Sequence, residues 1–286
     1  MLTFKLIFSL VVLGLVDEGV SRSAGAGQLR GSDQDVSGGT HDAPHTYITR
    51  GQPTGIGLYP WVVHLNVAGT ACGGSLISYR HVLTAAHCVV LQHAYRYEDV
   101  NVFLAEYDTR TPTDCDGALC VHTVVMQPEK IVYHNQYQPQ VFHNDIAMLT
   151  LRGDAPNTDY IRPILLPTFN INEPKYEGTP LIITGWGQTE HSQSSPIKLH
   201  AQVQLVSPNT CSRHAQVTPG VLCASSKNGQ DMCFGDSGGP IMLVQEGKYY
   251  LTGIVSHRNS PCGSSVPSMY TNVYSYLDWI QYNMRN

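Results

Sequence analysis

The feature that most constrains the fold is a succession of short segments rich in β-branched and aromatic residues, separated by glycine, proline, asparagine and aspartate. Such segments are typical of β-strands, and the intervening clusters are typical of turns. Helical periodicity is missing until YSYLDWIQYNM, near the C-terminus, where Ser275 is a good N-cap. The pattern therefore predicts an all-β protein with a C-terminal helix. The clearest strand segments are WVVHLNV, VNVFLAEY, KIVYH, DIAMLTL, PLIITGWG, HAQVQLV and YYLTGIVS.

The N-terminus indicates export. Lys5 precedes or joins an apolar run from Leu6 to Val16, which is the pattern of a secretory signal. A membrane anchor is the alternative, but the run is shorter than the roughly 20 apolar residues that span a bilayer. We predict a signal peptide over residues 1–21, a polar pro-segment over 22–47 and a folded part over 48–286. The predicted location is extracellular, without a membrane anchor.

Charge and cysteine content limit the kinds of partner and of cysteine site that the chain can have. The 286 residues carry a formal net charge of -5 and no lysine or arginine block, so nucleic acid is not a predicted partner. Eight cysteines in an exported chain, without CxxC or Cys–His finger spacing, favour disulfides over zinc. Spacing alone does not fix the pairing, although Cys115 and Cys120 form the easiest local pair.

The stretch DMCFGDSGGP surrounds Ser237 with glycines. Its Gly-x-Ser-x-Gly pattern also occurs in the α/β-hydrolase nucleophile elbow, where an acid and then a histidine follow the serine. Here His257 precedes Asp278, and the strand-rich surroundings disagree with that fold. Upstream, LTAAHC contains His87 and HNDIAML contains Asp145. The order histidine, aspartate, serine is that of chymotrypsin.

These three motifs resemble the chymotrypsin-like serine proteases, and the resemblance runs from about Ile48 to Ile280. It also includes PWVVHL, CGGSLIS, ITGWG, GIVS and MYTNV, while the loop EYDTRTPTDCDGALC resembles arthropod clip-type proteases. The resemblance implies two antiparallel six-stranded β-barrels packed side by side. The chain would cross between them near residues 161–167, and the active site would lie in the cleft.

The resemblance also implies a role for each catalytic residue. Ser237 is a poor nucleophile until a base takes its proton, and His87 can do so near neutral pH. Asp145 would orient the imidazole, and the amides of Gly235 and Ser237 would bind the oxyanion. The predicted partners are a protein or peptide substrate, an activating protease and protein inhibitors. A catalytically silent relative that binds a partner through the same fold is the alternative.

Activation departs from the usual pattern. In chymotrypsin-like proteases, the aspartate before the serine, here Asp236, pairs with a new N-terminus, here Ile48. Tyr47 precedes Ile48, whereas a cut after Arg50 would expose Gly51, which is too short and polar for the isoleucine pocket. Activation therefore requires cleavage after Tyr47 by a chymotrypsin-like enzyme, or a different mechanism.

Specificity is the other departure. Asp231 lies six residues before Ser237, where an aspartate favours cleavage after arginine or lysine. Arg258 stands where glycine is usual, and its guanidinium either pairs with Asp231 and narrows the pocket or turns outward to solvent. The implied substrate-binding residues are Asp231, Met232, Ser256, His257, Arg258 and Ser268.

The resemblance implies three further disulfides besides Cys115–Cys120. Glu106 and Glu129 flank a loop that binds calcium in some relatives, but the spacing is altered here, so we predict neither a metal nor a cofactor. The implied pairs are Cys72–Cys88, Cys211–Cys223 and Cys233–Cys262.

Overall fold

The computed structural model describes residues 51–90, 97–189, 192–225 and 228–286. The predicted signal peptide, the pro-segment and Ile48 lie outside these residues. Strands dominate the described chain and form two large antiparallel sheets, followed by a C-terminal helix. The predicted all-β class is therefore confirmed.

Strands and helices are numbered in chain order. The strands are β1 (Gln52–Pro53), β2 (Val62–Val67), β3 (Thr70–Ser78), β4 (His81–Thr84), β5 (Val100–Leu104), β6 (Thr113–Asp116), β7 (Leu119–His122), β8 (Val124–Met126), β9 (Pro128–Tyr133), β10 (Ala147–Leu151), β11 (Pro180–Gly185), β12 (Leu199–Val206), β13 (Val221–Ser225), β14 (Pro240–Gln245), β15 (Lys248–His257) and β16 (Ser268–Asn272). The α-helices are α1 (Ala86–Val89), α2 (Pro208–Cys211) and α3 (Leu277–Arg285).

The two large sheets differ in how far they close. The second sheet has the order β1-β12-β11-β14-β15-β16-β13, and β12 also pairs with β13, which closes a six-stranded barrel with β1 added to its edge. The first sheet has the order β8-β5-β2-β3-β4-β10-β9 and curls into a half-barrel. Strands β6 and β7 form a separate hairpin.

Alternating burial explains why the segments form strands. In β2, Val63, Leu65 and Val67 are fully buried, whereas His64 and Asn66 are partly exposed. Side chains of a strand point alternately to its two faces, so this pattern places one face in the core. Each buried valine or leucine contributes about 1.5–3 kcal/mol relative to an exposed one.

The predicted crossing segment contacts both sheets. The Ile164 amide donates to the Leu76 carbonyl in β3 at 2.9 Å, and the Leu251 amide of β15 donates to the Leu165 carbonyl at 2.9 Å. Residues 161–167 therefore run along the junction between the sheets.

The terminal helix forms, but Ser275 does not cap it. A 3₁₀ turn (Val273–Tyr276) precedes α3, and the Ser275 hydroxyl donates to the Pro219 carbonyl at 2.7 Å. The predicted cap is wrong because α3 begins at Leu277 with Tyr276 at its N-cap, so Ser275 lies within the preceding turn and contacts a distant carbonyl instead. Ile280 and Tyr276 are buried, as the helical pattern requires.

Four disulfides join the eight cysteines, in the pairs that the sequence suggested. One bridge links β6 and β7, and another closes the segment between Cys233 and Cys262. The four pairs are Cys72–Cys88, Cys115–Cys120, Cys211–Cys223 and Cys233–Cys262.

The sheets approach each other closely at two glycines. A Cβ atom added to Gly73 in β3 would lie 2.7 Å from the Gly239 Cα. The Gly73 amide donates to the Ser237 carbonyl at 2.7 Å. The absence of a side chain at Gly73 therefore lets the first sheet hold the turn that contains Ser237.

We expect Gly73→Ala to destabilise the protein by about 1–3 kcal/mol, because overpacking forces the two backbones apart. Urea unfolding would measure the loss. Gly55→Ala is the matched control, since a Cβ there meets no atom within 4 Å. Equal stability of the two variants would contradict the close approach.

Candidate active site

The first pair of functional side chains comes from the first sheet. His87 lies in α1 directly after β4, and Asp145 lies two residues before β10. The His87 Nδ1 is 2.8 Å from the Asp145 Oδ2, and the His87 amide donates to Oδ1 at 2.9 Å. Both carboxylate oxygens therefore orient the same histidine.

The second sheet completes the surroundings of Asp145. The Ser256 hydroxyl of β15 donates to the Asp145 Oδ2 at 2.6 Å, and the Thr271 hydroxyl of β16 donates to its backbone carbonyl at 2.7 Å. Asp145 is 1% exposed. A buried carboxylate needs such donors because burial without them is costly. Sequence reasoning missed Thr271, which precedes the buried Asn272 in the MYTNV motif.

Ser237 comes from the turn before β14 and lines the same cavity as His87. The cavity has a volume of about 560 Å³. Among the described residues, no hydrogen bond joins the Ser237 hydroxyl to the His87 ring. Catalytic hydrogen bonds are often long before substrate binds, so this geometry remains compatible with proton transfer.

The amides assigned to the oxyanion hole have no protein acceptor. Neither the Gly235 amide nor the Ser237 amide donates a hydrogen bond within the described chain. The Phe234 carbonyl accepts from the Gln188 amide at 2.6 Å, and Gly235 has a φ of +94°. Because a trans peptide points its C=O and N–H in opposite directions, the Gly235 N–H is directed away from Gln188. Both amides are therefore available to a ligand.

Asp236 is buried directly beside Ser237. Its carboxylate accepts the Gly187 amide at 2.8 Å and the Cys233 amide at 2.9 Å. Burial raises the pKa of Asp236 to about 6, against the opposing effect of these two hydrogen bonds. No side-chain cation in the described residues contacts it.

Asp231 lies beneath the cavity and is paired internally. The Arg258 Nη2 is 2.9 Å from the Asp231 Oδ2, and their side chains are 8% and 3% exposed. The Ser268 hydroxyl donates to Oδ1 at 2.8 Å. Of the two orientations left open by the sequence, Arg258 adopts the inward one. Met232, His257 and Arg258 line the cavity, whereas Ser268 lies buried behind Asp231.

An aromatic residue that sequence reasoning missed also borders the site. The Phe142 ring stacks on the His257 ring, with centroids 4.6 Å apart, and meets the His87 ring edge-on at 5.7 Å. Its position three residues before Asp145 was the only sequence signal. Phe142 therefore fixes how His257 borders the cleft.

Comparison with known proteins identifies the family. A sequence model described as trypsin matches residues 48–280. The chain belongs to the trypsin family. Melanization protease 1 of Drosophila melanogaster is 38% identical over 254 residues, which are 79% of this chain and 63% of that protein.

Two further relatives show the same likeness. Phenoloxidase-activating enzyme of Bombyx mori is 38% identical over 265 residues, covering 82% of this chain and 60% of its own length. CLIP domain-containing serine protease B4 of Anopheles gambiae is 35% identical over 254 residues, which are 83% of this chain and 70% of that protein. The chain thus spans about three fifths of the first two relatives. The predicted resemblance to arthropod clip-type proteases is confirmed.

The two acids that flank the loop of the calcium-binding relatives have separate protein partners. Glu106 is buried and accepts hydrogen bonds from the Tyr107 amide at 3.0 Å and the Thr123 hydroxyl at 3.2 Å. Glu129 pairs with Arg80 at 2.7 Å.

In the described residues, no helix has the length and apolar character needed to cross a membrane.

The raised pKa of Asp236 predicts a pH-dependent stability of the uncleaved chain. The folded-state pKa of about 6 lies above the unfolded value of about 3.9, so the folded state holds this proton more tightly. The resulting stabilisation, about 3 kcal/mol, is present below pH 4 and is lost as the pH rises through 6.

We expect Asp236→Asn to remove this contribution to the pH dependence of the free energy of unfolding. The asparagine amide can accept only one of the two backbone hydrogen bonds, so the variant should also be less stable at every pH. Urea unfolding of both proteins between pH 4 and 7 would measure it. Parallel stability curves would contradict the assignment.

Proposed function

We propose that this chain is a secreted serine endopeptidase, synthesised as a zymogen, that cleaves proteins through an acyl-enzyme. One observation carries the proposal: His87, oriented by a buried aspartate, and Ser237 line a single cavity between the two sheets. Family membership supports the same chemistry.

The contacts around His87 support a specific set of proton transfers. The bond between the Asp145 Oδ2 and His87 Nδ1 selects the tautomer whose Nε2 accepts a proton. Nε2 takes the Ser237 proton as Oγ attacks the scissile carbonyl, and then donates it to the departing amine, which leaves an ester on Ser237. Water hydrolyses this ester by the same transfers in reverse. The Gly235 and Ser237 amides would stabilise both oxyanions.

Activation would use Asp236, which no side-chain cation contacts within the residues that the structure describes. Cleavage before Ile48 would create an ammonium group, and this group would pair with Asp236. An adjacent positive charge lowers the pKa of a carboxyl, so pairing would offset the cost of ionising Asp236 at neutral pH. Because Asp236 and Ser237 are consecutive, the ion pair would also order the catalytic turn.

The proposed substrates are proteins in an extracellular fluid. One relative is named phenoloxidase-activating enzyme and another is named Spaetzle-processing enzyme, and both names describe action on another protein. The N-terminal signal pattern supports secretion of this chain. The proposed partners accordingly include an upstream activating protease and protein inhibitors.

Labelling by a serine-directed phosphonate tests the catalytic proposal. We expect the activated protein to be labelled at Ser237, and Ser237→Ala to abolish both labelling and peptide hydrolysis. Ser195→Ala is the control, because this buried serine bonds the Ile197 carbonyl and does not line the cavity. An activated protein that resists the phosphonate would favour the catalytically silent alternative.

The activation bond can be tested independently. In an Arg50→Gln background, chymotrypsin should release activity, and N-terminal sequencing should give Ile48. Trypsin should activate this protein only after a further Tyr47→Arg substitution, because trypsin then cuts at the same bond. Active protein with any other N-terminus would contradict the assignment of Ile48.

A further inference from the structure

We propose that Arg258 sets the substrate class: its guanidinium fills the pocket above Asp231, so the enzyme cleaves after uncharged residues and rejects arginine and lysine. The inference rests on the proposed peptidase function. It reverses the specificity that Asp231 alone suggests.

The Arg258 guanidinium is held by four acceptors. Its Nε donates to the Ser260 carbonyl at 2.6 Å, and its Nη1 donates to the Met232 carbonyl at 2.8 Å. Its Nη2 donates to the Pro261 carbonyl and lies 2.9 Å from the Asp231 carboxylate. A guanidinium has five N–H donors in a fixed plane, so this set uses nearly all of them.

The Asp231 carboxylate has correspondingly little capacity left to accept hydrogen bonds from a substrate. Arg258 and the Gly263 amide, at 3.4 Å, share its Oδ2, while the Ser268 hydroxyl takes Oδ1. Burial raises the pKa of Asp231, and the Arg258 charge opposes that rise. The carboxylate charge that would attract a basic substrate is therefore neutralised within the protein.

A substrate arginine would have to displace Arg258 before reaching Asp231. Both side chains are almost completely buried, and separating a buried, hydrogen-bonded ion pair is strongly unfavourable. We expect Arg258 to lower kcat/KM for substrates with a basic residue before the scissile bond by at least about 100-fold, relative to a pocket without this side chain.

The space that remains favours uncharged side chains. Above the ion pair, the cavity is bordered by Met232, Phe234, Val141, Phe142 and Ala215. Phe234 is 73% exposed and presents an apolar surface at the entrance. These walls offer contact area to an apolar residue and no free anion to a basic one.

The first experiment compares peptides that differ only in the residue before the scissile bond, with Arg, Lys, Tyr, Leu and Ala at that position. The activated wild type should cleave the best uncharged peptide at least 10-fold faster than the arginine peptide. Arg258→Gly should raise kcat/KM for the arginine peptide by about 100-fold or more. Arg162→Gly is the matched control, because Arg162 is exposed and pairs with the exposed Asp159.

The second experiment needs no catalysis. In a Ser237→Ala background of the activated protein, p-aminobenzamidine fluorescence should show no binding with Arg258 present and saturable binding after Arg258→Gly. Adding Asp231→Ser should abolish the binding again. The double variant also removes both charges, so it avoids an unpaired buried aspartate.

The outcomes separate the two proposals. The inference would be overturned if the wild type cleaved selectively after arginine or bound the amidine. It would also be overturned if Arg258→Gly folded but gained neither cleavage after arginine nor amidine binding. If Arg258→Gly fails to fold, the wild-type peptide profile and titration decide it. Failure of phosphonate labelling would instead overturn the proposed function, while the amidine titration would still test the pocket.

Discussion

The buried carboxylate of Asp145 receives hydrogen bonds from both sheets. His87, from the first sheet, occupies one side with its amide and ring nitrogen, and Ser256, from the second sheet, occupies the other. A buried polar group without hydrogen-bond partners is costly, so these donors stabilise the carboxylate in the interior. The orientation of His87 therefore depends on the two sheets being correctly packed. Catalysis is coupled to the whole fold through this one charge.

Three buried aspartates are compensated in three different ways. Asp145 is satisfied by neutral donors and the histidine that it orients. Asp231 is paired with the Arg258 guanidinium at 2.9 Å. Asp236 has only backbone amides among the described residues, and its raised pKa reflects that shortfall. The same residue type is thus found with a histidine, with an internal cation and with backbone amides alone, and the specificity and activation proposals rest on the last two arrangements.

The fold class could be predicted because burial alternates along strands such as β2 and β12, and the sequence of such strands therefore alternates between apolar and polar residues. Several strands, among them β3, were not identified from pattern alone. Strand β3 contains the glycine pair Gly73–Gly74, and glycine in a strand interior normally argues against a strand. Here the glycines permit the close approach of the sheets, which is a tertiary requirement that no local propensity contains.

The order of the motifs indicated His87, Asp145 and Ser237 as a candidate catalytic set, but it did not indicate the direction of Arg258. A long charged side chain normally remains in water, and it turns inward only where enough acceptors converge. Three of its acceptors are the carbonyls of Met232, Ser260 and Pro261, which flank the two ends of the Cys233–Cys262 disulfide. That bridge joins positions 29 residues apart and, together with the pairing of β14 with β15, brings the acceptor segments to one place. The inward direction of Arg258 therefore depends on carbonyls from segments that meet only in the folded chain, which local sequence does not reveal.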